Sequence, residues 1–184
     1  LHHLRGNTLC LFQLVEKHGK PLHEAAEKII TDRNIYFVYG GTDTDTREEI
    51  RALIENAKSI LLTTHENPDG DGLGCCAAMY HYLKELEKDC RVINYSEFPS
   101  EYGFLNSQEI FEFHIVEEHQ DWITQVDLVI VFDVGNINRL RSIYTEIKSN
   151  NLSTLNIDHH PLENAELFTY NYVDISAAAT GEII

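Results

Sequence analysis

Thr64-His65-Glu66-Asn67-Pro68-Asp69-Gly70-Asp71-Gly72-Leu73-Gly74 is the stretch that decides how this chain folds. The apolar run before it, Ser59-Ile60-Leu61-Leu62-Thr63, predicts a buried strand. The pattern after it, from Cys75 to Leu83, predicts a helix. A strand, a loop and a helix in that order build an open α/β sheet, and ligands bind such sheets at the carboxyl ends of the strands. The loop carries one imidazole, His65, and two carboxylates, Asp69 and Asp71, in seven residues. Oxygen donors with one nitrogen suit Mn²⁺ or Mg²⁺ better than a thiolate-seeking metal.

Working outward, three more apolar runs end in the same way. Val126–Phe132 ends in Asp133, Leu152–Ile157 in Asp158-His159-His160, and Phe168–Val173 in Asp174. Cys90–Asn94 and Ile35–Tyr39 read as further strands. Helical patterns cover 46–57, the stretch from the loop to about Lys88, 137–148, and Ala177 to Ile184. This alternation predicts an α/β protein with a mostly parallel sheet flanked by helices. The carboxyl ends of parallel strands share one edge, so His65, Asp133, Asp158, His159, His160 and Asp174 converge there. A single acid at a strand end ordinarily caps the next helix. Four strand ends, three histidines and the Asp69/Asp71 pair exceed that need. They suffice for two cations sharing a bridging carboxylate, an arrangement that clamps the attacking and leaving oxygens of phosphoryl displacement. The sequence has no P-loop, no Ser-His-Asp arrangement and no dinucleotide fingerprint.

Composition narrows the partners. A formal net charge of -16 on 184 residues disfavours wholesale binding of long duplex nucleic acid. A short anionic substrate remains compatible, because bound cations supply local positive charge. Cys10, Cys75, Cys76 and Cys90 form no C-x-x-C, which predicts reduced, cytoplasmic usage without disulfides or structural zinc. No apolar run reaches the ~20 residues of a membrane span, so no membrane partner is expected. The chain begins at Leu1 and stops at Ile183-Ile184 inside a helical pattern, which predicts a fragment of a longer protein. Helices are expected at Gly6–His18 and Pro21–Ile30, with His2, His3, His18 and His23 solvated. Residues 95–120 are expected to form a loop with a short helix. Phe98, Phe104, Leu105, Phe111 and Phe113 would then serve core and lid packing rather than base stacking.

At this point the residues resemble the DHH phosphoesterase family, whose name is the motif Asp158-His159-His160. The first family motif is matched by His65 to Gly74, and the second by Phe132-Asp133. The fourth is matched by Tyr172-Val173-Asp174 before Ala179-Thr180-Gly181-Glu182. The Asp-Gly-Asp form resembles the oligoribonuclease and pAp phosphatase (NrnA-like) branch. The resemblance covers about residues 47–184, leaving 1–46 unassigned. It implies a DHH catalytic domain truncated at its C-terminal end, with the family's second domain, DHHA1, absent from this chain. It implies two Mn²⁺ ions, Mg²⁺ being the alternative. His65 and Asp69 would hold one ion, Asp71, His159 and Asp174 the other, and Asp133 would bridge them.

By the same resemblance Asp158 would orient a histidine, His160 would face the scissile phosphate, and Arg139 would lie near the site. Water between the cations would be the nucleophile. The implied substrates are short RNA or DNA oligonucleotides or 3′-phosphoadenosine 5′-phosphate. Inorganic pyrophosphate or polyphosphate is the alternative substrate class, and a non-catalytic nucleotide-binding regulatory module the alternative role. A homodimer is left open. The chain departs from the family at Cys75, where Ser is common after Gly74, and at Ala177, Ala178 and Ala179, where serines are common.

Overall fold

The computed structural model describes residues 36–39, 44–161 and 165–184. The expected helices at Gly6–His18 and Pro21–Ile30, and the four N-terminal histidines, lie outside the described residues. The chain separates into two units, Leu1–Phe37 and Val38–Ile184, and apart from Tyr36 and Phe37 all that is described below belongs to the second.

The strands are β1 (Tyr36–Tyr39), β2 (Ser59–Thr64), β3 (Asp89–Asn94), β4 (Phe111–Phe113), β5 (Leu128–Phe132), β6 (Thr154–Asp158) and β7 (Tyr170–Val173). The α-helices are α1 (Thr44–Asn56), α2 (Gly70–Glu85), α3 (Val116–Ile123) and α4 (Ser142–Ser149). The sheet order is β1-β7-β6-β5-β2-β3-β4, and the six strands from β2 to β7 pair in parallel. From β2 the chain moves outward through β3 and β4. It then returns to β2's other side and moves the opposite way through β5, β6 and β7. The crevice of an open sheet opens where the direction reverses, here between β2 and β5.

Alternation along the strands feeds two separate cores. Leu128, Ile130 and Phe132 pack with Ile54 of α1 and with Cys76, Met79 and Leu83 of α2. Val129 and Val131 pack on the other face with Ile123 of α3 and with Ile143 and Ile147 of α4. All five β5 residues are buried, as expected of a central parallel strand covered on both faces.

Several elements differ from the sequence expectation. The single helix expected over 137–148 is a 3₁₀ turn, Ile137–Leu140, followed by α4. Arg141 separates them with a left-handed φ of 53°, which a continuous helix cannot absorb. The helix expected from Ala177 is a short 3₁₀ turn, Thr180–Glu182. The region 95–120 contains a 3₁₀ segment, Ser100–Asn106, the edge strand β4 and the start of α3. Three residues are too few to show a period-two pattern, and their ladder comes from Val92–Asn94 of β3. The expectation that the aromatics here form core or lid packing fails in part. Phe104 is 75% exposed and Phe113 is also exposed, while Phe98 and Phe111 are half-buried and meet ring to ring at 4.7 Å.

Candidate metal centre

Strand register sets the site before any side chain is considered. Thr64 pairs with Phe132, and Phe132 with Ile157. The next row therefore places His65, Asp133 and Asp158 side by side at the carboxyl edge. Asp158 pairs with Val173, so Asp174 stands one row further out, level with His159.

The loop after β2 is held tightly. The Asp69 carboxylate caps α2, accepting from the backbone N–H of Asp71 and Gly72. At Gly72 a Cβ would fall 2.2 Å from Thr64 Oγ1, so only glycine lets α2 start this close to β2. The Thr64 hydroxyl donates to the Phe132 carbonyl at 2.9 Å, tying β2 to β5 beside the site.

Asp133 is the centre of the arrangement. It is 2% exposed and has a φ of 61°, a left-handed conformation that aspartate tolerates better than most residues. Strained backbone of this kind is typical of functional positions. Its two oxygens face different partners. Oδ2 lies 3.7 Å from His65 Nε2, which is itself 3.8 Å from Asp69 Oδ2. Oδ1 lies 3.6 Å from His159 Nε2 and 3.2 Å from His160 Nδ1. His159 Nε2 is also 3.8 Å from Asp71 Oδ2. Two groups in this centre could each hold a metal ion: His65 with Asp69 and Asp133, and Asp133 with His159 and His160.

The donor set fits divalent cations. Separations of 3.6–3.8 Å are longer than hydrogen bonds. Bonds of about 2.1 Å to one cation leave two ligand atoms roughly 3.0–3.7 Å apart, close to what is seen. The tautomer agrees. His65 Nδ1 is 2.7 Å from the Glu66 carbonyl and 2.8 Å from Arg139 Nη2, and the two contacts require opposite roles of that nitrogen. With the proton on Nδ1, donation to Glu66 is satisfied and the Nε2 lone pair faces Asp69 and Asp133, as a metal ligand requires. The Arg139 N–H then has no acceptor at His65 Nδ1.

The surrounding acids titrate according to what they touch. Burial works to raise the Asp133 pKa, but His65, His160 and the Thr180 hydroxyl outweigh it and hold this carboxyl below the usual range. Burial works against charge on His65, yet the Asp133 carboxylate and the Glu66 carbonyl leave its pKa raised. Asp158 is fully buried, and burial raises its pKa despite donation from His160. Its Oδ1 accepts from both the backbone N–H and the Nδ1–H of His160, each at 2.9 Å, so Asp158 fixes that ring.

The remaining expected residues are placed less centrally. Asp71 lies in neither three-residue group, but its oxygens accept from Thr180 N–H at 2.7 Å and Gly181 N–H at 2.8 Å. Asp174 also lies in neither group, and its Oδ1 accepts from the backbone and hydroxyl of Ser176. Cys75 makes a weak contact of its own: its thiol reaches Asp71 Oδ1 at 3.7 Å. Burial and Asp71 push that thiol's pKa up, so it remains protonated and able to donate. The residue given no role from sequence is Thr180, fully buried, whose hydroxyl donates to Asp133 Oδ1 at 3.1 Å. The only signal for it was its place after the fourth motif.

Fold and site together define an open parallel α/β protein with a carboxylate–histidine centre able to hold cations. The chain belongs to the DHH family: the family's N-terminal domain matches residues 59–184. A bifunctional oligoribonuclease and PAP phosphatase NrnA from Mycoplasma genitalium is 29% identical over 136 residues, which is 71% of this chain and 39% of that protein. The crystal structure of an exopolyphosphatase-related protein from Bacteroides fragilis superposes with a TM-score of 0.68 at 21% identity. That match covers 74% of this chain and 40% of the other, and shows the shared fold. The chain thus spans about two-fifths of the length of these relatives. Among the described residues no helix is long and apolar enough to cross a membrane.

Proposed function

We propose that residues 47–184 form the catalytic half of a cytoplasmic phosphoesterase that uses two divalent cations, Mn²⁺ or alternatively Mg²⁺. Its proposed substrates are short oligonucleotides and 3′-phosphoadenosine 5′-phosphate. The observation that carries this reading is Asp133, whose oxygens are divided between His65 with Asp69 and His159 with Asp71. A binding module has no need for one buried acid to serve two such groups. The similarity to a protein named for oligoribonuclease and PAP phosphatase activity supports the substrate class.

The chain's own residues have distinct tasks. His65, Asp69, Asp71, Asp133, His159 and Asp174 would hold the cations. When bound, the cations supply a Lewis acid and a deprotonated water near neutral pH. Asp158 locks His160 through Nδ1, which leaves Nε2 as that ring's other donor, for a phosphoryl oxygen. His160 is exposed, as substrate contact requires. Arg139 neutralises charge on the bound phosphate, which matters in a chain of net charge -16.

The test is hydrolysis of a 5′-labelled RNA dinucleotide, with 3′-phosphoadenosine 5′-phosphate and pyrophosphate in parallel. Mononucleotide release that stops with EDTA and returns with Mn²⁺ is expected. Cleavage of pyrophosphate alone would replace the nucleotide substrates with inorganic ones. Mn²⁺ binding without turnover of any substrate would make the domain a regulatory module.

A further inference from the structure

The 3₁₀ turn Thr180–Glu182 grips two acids from different elements, Asp71 in the first turn of α2 and Asp133 after β5. Asp71 is held by the backbone N–H groups of Thr180 and Gly181, one to each oxygen. A Cβ at position 181 would fall 3.3 Å from Asp71 Oδ1, so glycine allows the close approach. Asp133 is held differently, by the Thr180 hydroxyl on Oδ1. Backbone donors can come from almost any residue, whereas that hydroxyl can come only from Thr or Ser among residues of this size.

The hydroxyl has a specific consequence. An acid shared between two cations must keep its carboxylate plane fixed, one oxygen toward each. Here Oδ2 faces His65 and Oδ1 faces His159. Rotation of the side chain would turn both oxygens away from their groups at once. Thr180 is fully buried, and its hydroxyl pins one of the two oxygens.

We propose that Thr180 is a positioning residue that fixes the Asp133 carboxylate plane so that one acid can serve two cations. This rests on the two-cation reading above. The backbone clamp on Asp71 does not depend on the 180 side chain, so its loss should affect the shared acid selectively.

The experiment is a Mn²⁺ titration of the full chain followed by electron paramagnetic resonance. Two Mn²⁺ ions sharing a carboxylate are exchange-coupled and give a spectrum unlike that of isolated ions. The wild-type protein should show the coupled spectrum. Thr180→Val should lose it at Mn²⁺ levels that saturate the wild type, needing about 10–100-fold more of the ion to recover it. Thr180→Ser should restore it. A merely structural role would lower the melting temperature of Thr180→Val and leave the spectrum unchanged, and that result would overturn the proposal. So would Thr180→Ser behaving like Thr180→Val, since the methyl group would then be what matters. Should Thr180→Val not fold, Thr180→Ala is read by the same criteria. Isolated ions only in the wild type would defeat the two-cation reading itself, and the role of Thr180 with it.

Discussion

Two clusters of charge in this molecule solve the same problem in opposite ways. On β3, β4 and α3, Glu112 is gripped by Arg91 through two hydrogen bonds and by His119 Nε2 at 3.2 Å, with Trp122 lying against the Arg91 guanidinium. The protein supplies its own counter-charge, and the cluster is complete. At the carboxyl edge, Asp69, Asp71, Asp133 and Asp158 crowd together. Among the described residues their ion-pair partners are all histidines, which carry charge only when protonated. Acids gathered without fixed cations repel one another, and folding them costs stability unless positive charge comes from outside. The comparison separates a structural charge cluster from one built to receive cations.

The largest expected effect tests that distinction directly. Asp133→Ala should lower Mn²⁺-dependent hydrolysis by about 10³-fold or more, the scale of losing a preorganised electrostatic partner. The fold should survive, as checked by circular dichroism. Activity near wild type would place the shared acid outside the chemistry. Next, Mn²⁺ at a hundred times its Kd should stabilise the wild type by about 2.7 kcal/mol, read from thermal melts, and EDTA should reverse the shift. Asp133→Ala should lose most of that gain. A variant at Glu112 should keep it in full, because Arg91 and His119 already occupy that carboxylate.

Smaller effects probe the complete cluster. Arg91→Ala should cost about 1 kcal/mol, since both partners are partly exposed and solvent screens the pair. Hydrolysis should be unchanged. Burial works to raise the Glu112 pKa, but Arg91 and His119 outweigh it and depress it. A depressed carboxyl contributes stability above its unfolded pKa and loses it as pH falls through the folded one. Melts should therefore decline below the ordinary glutamate range, and Glu112→Gln should flatten that slope. Last, Phe104→Ser should change stability by less than about 0.5 kcal/mol, as a side chain that is mostly exposed.

The parts of the fold visible in the sequence are those with a long, clean period. The β5 run, the strand before His65 and the helical pattern from Cys75 to Leu83 are local patterns that survive packing, although the helix begins earlier than expected, at Gly70, because the Asp69 carboxylate caps it there. Elements shorter than one full period were not visible. β4 exists because β3 offers it a ladder, and Arg141 breaks a helical pattern through a backbone angle that no neighbouring residue announces. The helix pattern from Ala177 yields to a short turn whose amides are directed at Asp71, 110 residues away for Gly181.

The sequence by itself determined which acids and histidines stand at strand ends, and a parallel sheet brings strand ends together without further instruction. Their types and order were sufficient for the family. Only the tertiary structure decided how the acids divide the work: Asp133 between two groups, Asp158 on His160, and Asp71 and Asp133 both held by the turn at Thr180. The physical reason is range. Periodicity and strand polarity are written in neighbouring residues. The direction of a carboxylate oxygen is set by a donor 47 residues distant, across packed strands.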